Sequence, residues 1–483
     1  MRPAARHHHC QNFARSRPAT AGDGLPQIEA GMPAPAGTGL TRRSMMMRSL
    51  GLGLAVYGAG AMTGAERLEA AINDALAQHK VIVSVFFDGG WDALSVLVPF
   101  GDDHTHEARL AELRPGLSGA IDRAQARVFA PDPSLSWNPA AQGLVDLWDD
   151  PSVGVAVIPS AGYPDADGSH FTSRHYWEVG ALDVGGTSGW LGRYLDRVGK
   201  PDVPIQGISM GGYLSPMQAT DRVPVSAVYD ISGYDYWYPG GWRGNGPVGI
   251  PDVATNNLRS LATTVTGDPQ LATARMVTEA SFQLVEDLAA VQTSPAAPDS
   301  LYGANPEGIA RQLRDIARLL DTRISGNALP IRCISVNAQG GYDTHSDQGA
   351  SFAEDLKANC DAIKAFWADL KARGEDDRVL MLCWSEFGRR PEENGSGGCD
   401  HGAGGTAFVI GSGVKQGMIG EFPGLKAYGT AGAGLDANDN LRYTTDFRSI
   451  EAAILEQWLD TDAAAVLPGV SGLARPTLLG SPH

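Results

Sequence analysis

The sequence predicts an α/β protein: a largely parallel sheet with helices packed on both faces. Three observations lead there. Short apolar runs rich in β-branched residues recur along the chain, and several are separated by stretches of helical periodicity. The 483 residues are 43% hydrophobic, enough for a large core, and include 60 glycines and 30 prolines without a fixed repeat, which favours many turns and loops. Charged residues make up 19%, so a wholly disordered chain is excluded. The net charge of −17 argues against non-specific nucleic-acid binding, which needs basic surface to displace counterions. The sequence has no apolar run of the roughly eighteen residues that a stable membrane span requires.

Residues 1–40 mix Pro, Ala, Gly and Arg without period and read as a disordered leader, or as sequence upstream of a later start at Met32. The run His7-His8-His9 receives no role. Residues 41–65 then place Arg42-Arg43 before a weakly apolar, glycine-rich stretch and small residues, the order found in a twin-arginine export signal. That segment predicts the twin-arginine translocase as a transient partner and a periplasmic or extracellular location. The apolar stretch is too short to span a bilayer. Five cysteines without a C-x-x-C pair make a structural zinc knuckle unlike this chain.

The first buried strand is expected at Val81 to Phe87, entering a turn at Asp88-Gly89-Gly90. Further strands are expected at 153–158, 331–336, 379–384 and 406–410. Phe352, Leu356, Ile363, Trp367 and Leu370 share one face of an amphipathic helix. Residues 234–256, dense in Gly, Pro, Trp and Tyr, read as a long loop, and 257–323 as helical, so that about 220–330 forms a helical and loop insertion or cap. No linker divides residues 80–470, which are read as one domain. In a sheet of this kind, ligands sit beyond the carboxyl ends of the strands.

Of the 11 histidines, those outside the termini and leader that remain as candidates are His104, His106, His170, His175, His345 and His401. Several fall in segments that also carry acids, hydroxyls and glycines. Asp88 sits where the first strand ends and can hold a divalent cation, or simply cap the next helix. Ser169 opens a helix and suits an N-cap or an anion-binding nucleophile. Asp343 and His345, one residue apart on an extended segment, point the same way and can share a metal. Glu386 ends another strand, and Asp400-His401 lies in a glycine-rich loop before the next. Gly207-Ile208-Ser209-Met210-Gly211 matches the G-x-S-x-G elbow of serine hydrolases, but Pro204, Gly212 and Pro216 spoil the strand–helix context that the elbow requires.

Phe87-Asp88-Gly89-Gly90-Trp91-Asp92, Ser169-His170-Phe171, Gly189-Trp190-Leu191-Gly192-Arg193-Tyr194, Asp343-Thr344-His345-Ser346, Ser385-Glu386-Phe387-Gly388-Arg389, Asp400-His401-Gly402-Ala403-Gly404-Gly405 and Thr445-Asp446-Phe447-Arg448 together resemble a bacterial family of unknown function, numbered 1501, in the alkaline phosphatase-like superfamily. The resemblance implies an alkaline phosphatase-like α/β/α sandwich. It also implies one or two metal ions and a hydroxyl that attacks a phosphate or sulfate ester. By this resemblance Asp88, Asp343, His345 and His401 are metal ligands and Ser169 is the nucleophile ahead of Thr172; Glu386 and Asp400, at neighbouring strand ends and loops, are expected metal ligands too. Phe387 stands where active phosphatases carry a ligating histidine.

The expected function is an exported, metal-assisted hydrolase of a small-molecule or polymer-linked ester. The cation is zinc, calcium or manganese, and Arg174 or Arg389 clamps an ester oxygen. The rival expectation is a non-catalytic exported binding or assembly protein that keeps the fold with a degenerate site.

Overall fold

Val81–Phe86, five of whose six residues are β-branched or aromatic, forms the first strand of the central sheet (β1), buried on both faces. The computed structural model describes residues 53–55 and 80–480, except 103, 232–233, 235–236, 239–240, 243–249, 265–266, 293–294, 296 and 322–328. The leader and the arginine pair of the export signal therefore lie outside the described residues.

The other principal strands are β2 (Gly154–Gly162), β3 (Gly207–Met210), β4 (Val225–Val228), β5 (Cys333–Asn337), β6 (Val379–Trp384), β7 (Arg389–Glu393), β8 (Cys399–His401) and β9 (Gly405–Gly411). The sheet runs β4-β3-β5-β1-β6-β9-β2, with short strands at both edges. From β4 to β6 every pairing is parallel, whereas β9 runs antiparallel to both β6 and β2. The sheet is thus mainly parallel, as the sequence predicts, with β9 reversed and the short edge strand Gly53–Ala55 antiparallel to β4. β7 and β8 form a separate two-stranded hairpin.

Alternation along each strand divides the core into two layers. Val81, Val83 and Val85 join one cluster with Val379 and Met381. Ile82, Phe86, Leu380 and Leu382 join the other. The first layer is covered by α1 (Gln142–Asp149), α4 (Pro269–Gln292), α5 (Gly308–Leu319) and α6 (Gln348–Arg373). The second is covered by α2 (His170–Val179), α3 (Trp190–Val198) and α7 (Phe447–Ala453). The result is an α/β/α sandwich. Leu284 and Leu288 of α4 reach the first core, so this part of the 220–330 stretch is itself a covering layer.

Strand direction decides where the chemistry gathers. β1, β2, β5 and β6 all end at the same edge of the sheet, and β9, being reversed, begins there. Ser209 lies within β3 rather than on a turn, is buried, and its Oγ accepts from Ser215 N–H at 3.0 Å. It is no nucleophile elbow.

A buried ion pair locks the loop beyond β1. Arg114 donates to both oxygens of Asp92, at 2.5 and 2.9 Å, and to the carbonyls of Pro391 and Arg390 in β7. Ser95 Oγ and Gln348 Nε2 also donate to Asp92 Oδ2, each at 2.6 Å. Burial pushes the Asp92 carboxyl up, but Arg114 outweighs it and holds the pKa below the usual carboxylate range. Asp92→Ala would strand the guanidinium in the interior and should cost about 3–5 kcal/mol in equilibrium urea unfolding. Adding Arg114→Met should recover most of that loss.

Candidate metal centre

The site begins with a close approach that only glycine permits. Gly89 and Gly90 follow β1 with φ of 108° and 74°. A Cβ on Gly89 would stand 2.4 Å from the Asp343 nitrogen, and one on Gly90 would stand 2.3 Å from the Phe387 ring. The glycine pair therefore lets the loops after β5 and β6 close against the loop after β1.

Into that junction the fold brings one carboxylate and three imidazoles. Asp343 Oδ1 lies 3.4 Å from His170 Nε2, 3.2 Å from His401 Nε2 and 3.1 Å from His345 Nε2. The Nε2 atoms of His345 and His401 are 2.9 Å apart. His170 comes from the start of α2, Asp343 and His345 from the segment between β5 and α6, and His401 from the end of β8.

The remaining ring nitrogens fix what these groups offer. His401 Nδ1 is 2.6 Å from the Gly168 carbonyl, which can only accept. His345 Nδ1 faces Asp400 Oδ1 at 3.1 Å, and His170 Nδ1 faces Glu386 Oε1 at 2.7 Å. Each Nδ1 must donate, so in the neutral tautomer assigned from these partners each Nε2 is a bare lone pair. Those lone pairs and an anionic oxygen converge, with the Arg389 guanidinium 3.5 Å from His345 Nε2. His170 Nε2 is buried and has no hydrogen-bond partner. Ligand atoms bound at 2.0–2.2 Å to one tetrahedral cation stand roughly 3.3–3.6 Å apart, which is close to the spacing here. The donor set fits a single divalent cation held by His170, Asp343 and His401, whose ligand atoms all lie within 4.8 Å of one another, with His345 alongside.

The surroundings hold this set in place. Arg389 donates to Asp343 Oδ1 at 2.6 Å, to Gly90 O at 2.9 Å, to Cys399 O at 3.0 Å and to Gly89 O. Partial burial pushes the Asp343 carboxyl up, but Arg389 and His401 outweigh this and hold it at about 2. The carboxylate stays ionised across the physiological range. Glu386 accepts from His170 and, at 3.0 Å, from Gly89 N–H, while Ser385 Oγ lies 2.9 Å from its other oxygen. Its contact with Nδ1 raises the His170 pKa, the orienting effect of an outer carboxylate on a ligating imidazole. Asn394 Nδ2 bridges Asp400 Oδ1 and the His345 carbonyl, at 3.1 and 2.9 Å.

The residues expected from the sequence thus fall into different places. Asp343, His345 and His401 come together. Glu386 and Asp400, expected among the metal ligands, instead turn their oxygens to His170 and His345 and orient the imidazoles. Arg389, expected as an ester clamp, is fully buried and spent on Asp343 and backbone carbonyls, so it positions the site. Asp88 is exposed and outside the close group of ligand atoms, with Arg174 Nη1 4.0 Å away. Burial and the Glu386 charge raise its pKa, while Arg174 lowers it. Arg174 also donates to Glu178 at 2.8 Å and lies over the Phe86 ring. Ser169 caps α2, its Oγ accepting from Thr172 N–H at 3.3 Å. The four described cysteines are free and buried.

His170 is the residue that sequence reasoning missed. It stood in the histidine shortlist and in the Ser169-His170-Phe171 match, but the neighbouring serine drew the assignment. Phe387 packs against the rings of His170 and His401, with centroids 4.9 and 5.0 Å away, and walls off that side of the cluster.

No curated protein matches the sequence. The C-terminal periplasmic domain of EcEptC from Escherichia coli in complex with Zn is 8% identical with a TM-score of 0.32, over 79% of this chain and 83% of that one. A protein in the alkaline phosphatase superfamily from Vibrio parahaemolyticus is 8% identical with a TM-score of 0.31, over 82% and 76%. The PsFucS1 sulfatase from Pseudoalteromonas sp. is 12% identical with a TM-score of 0.32, over 86% and 78%. Similarity this loose assigns no residue its role. The model of the family described as "Protein of unknown function (DUF1501)" matches residues 244–459, a narrower span than the resemblance from about 80 to 470. Asp343, His345, Glu386, Arg389 and His401 fall within it, while Asp88 and the Ser169-His170-Phe171 stretch precede it. Over residues 244–459, under half of its length, the chain is similar to the DUF1501 family.

Proposed function

We propose that this protein is an exported, metal-assisted hydrolase of a phosphate- or sulfate-type ester. The observation that carries the reading is the convergence of three imidazole Nε2 atoms on the Asp343 carboxylate, each imidazole oriented by an acceptor at Nδ1. A divalent cation bound there would neutralise charge on the ester and lower the proton affinity of an attacking hydroxyl.

The chain's own groups divide the remaining work. Arg174 is partly exposed beside Asp88 and is the guanidinium left to hold an ester oxygen. Ser169 Oγ accepts from the helix backbone, which leaves its O–H free for attack at the positive end of α2. Its attack forms an Oγ–phosphorus or Oγ–sulfur bond as the ester bond to the alcohol breaks. The proton leaves with the alcohol. Water then cleaves the seryl ester, releasing phosphate or sulfate and restoring the hydroxyl.

The purified protein should carry about one equivalent of divalent cation by elemental analysis. Replacing His170, Asp343 or His401 by Ala should remove metal and ester turnover to a similar extent, with the triple variant scarcely worse. Metal-free wild-type protein that stays inert to phosphate and sulfate esters after addition of zinc, manganese or calcium would refute the reading.

Glu386→Gln keeps the shape but replaces an anionic acceptor with a neutral amide. Metal affinity should fall about 10–100-fold in a chelator competition. Unchanged affinity would show that Glu386 does not orient His170.

Ser169→Ala should abolish turnover while leaving bound metal largely intact. A residue that serves only as an N-cap would instead cost about 1 kcal/mol of stability with unchanged chemistry. Metal content, turnover and melting temperature measured on one preparation separate the two.

A further inference from the structure

The carboxyl edge of the sheet does not end at the metal centre. Beyond β5, the loops after β3 and β4 present Tyr213 and Tyr229, which are 49% and 66% exposed. The Tyr213 hydroxyl bonds Asn337 at the end of β5. Tyr229 lies beneath the Arg311 guanidinium, 5.4 Å from the ring centroid, and Arg311 reaches Asp230 at 3.4 Å. On the other flank Phe171 is 85% exposed, one helical turn from Arg174. Past Arg311 the surface opens into a groove of about 490 Å³ lined by Asn305, Glu307 and Arg314.

Resting on the reading of the metal centre as an ester-cleaving site, we propose that the edge from Arg174 past Tyr213 and Tyr229 to the Arg311 groove binds an oligosaccharide carrying the ester. Length is the first reason. Tyr229 follows β4, three strands from β1, so roughly 14 Å of strand ends separate it from the Gly89-Gly90 loop. A small ester would not reach that far. Chemistry is the second. Solvent-facing aromatic rings alternate with amide, carboxylate and guanidinium groups, and among the described residues no large aliphatic side chain is exposed along this edge. A sugar offers an apolar C–H face to such a ring and hydroxyls to its polar neighbours. A lipid chain would leave the polar groups unpaired. The groove lies within the usual size range of a ligand site.

The test is calorimetric binding of cellohexaose, chitohexaose and agarohexaose to the full chain, which needs no turnover. At least one should bind. Tyr213→Ala and Tyr229→Ala should each weaken it about tenfold, the loss of one stacked ring, with unchanged melting temperature. Tyr229→Trp should retain binding. Failure of all three sugars, or alanine variants that bind like wild type, would overturn the proposal. So would tyrosine-dependent binding of adenosine 5′-monophosphate or dodecyl sulfate with no sugar bound. Ester turnover by the same preparation is a separate readout. Sugar binding without turnover would sink the hydrolase reading and leave the saccharide surface standing.

Discussion

Arg389 lies in the interior, and its guanidinium joins segments that are far apart in sequence. It takes the carbonyls of Gly89 and Gly90 after β1, the carbonyl of Cys399 in β8 and the carboxylate of Asp343 after β5. A buried guanidinium is tolerated only when its donors are satisfied and its charge is met. That requirement forces the three loops to meet at one point and brings Asp343 to the mouth of the junction. The glycine pair makes the meeting sterically possible, and Arg114 repeats the device behind it through Asp92 and the carbonyls of β7. The site's geometry therefore follows from the burial of two cations whose role is to hold loops in register.

The sheet and its layers were legible in the sequence because burial on both faces demands continuous apolar strands. Val379–Trp384 matches the expected bounds, while the strand expected at 153–158 extends to Gly162 and that expected at 331–336 begins at Cys333. The reversed direction of β9 was not legible, since an apolar strand reads alike in either sense. Asp343, His345 and His401, which the fold brings together, stood out in the sequence because the residue types are scarce and sit beside strand ends. Glu386 was picked out for the same reason. A carboxylate at a strand end looks like a ligand until its acceptors are seen to be filled by Gly89 N–H and His170. Arg389 was read as solvent-facing chemistry because nothing in Ser385-Glu386-Phe387-Gly388-Arg389 reveals that it is buried.

The same distinction between ligand and holder sets the charge of the site. Were Glu386 and Asp400 also bound to the cation, three carboxylates would surround a divalent ion and leave a net negative centre. An anionic ester would be repelled from it. With those carboxylates hydrogen-bonded to His170 and His345, a divalent cation bound as proposed would meet only the Asp343 carboxylate among them. One positive charge would then remain there for an anionic ester, supplemented by Arg174. Phe387 adds an apolar wall, its ring packed against those of His170 and His401. One cation beside one inner carboxylate and this wall would leave a residual charge suited to a singly or doubly charged ester. The outer carboxylates do their work through imidazole, where they sharpen the ligands without cancelling that charge.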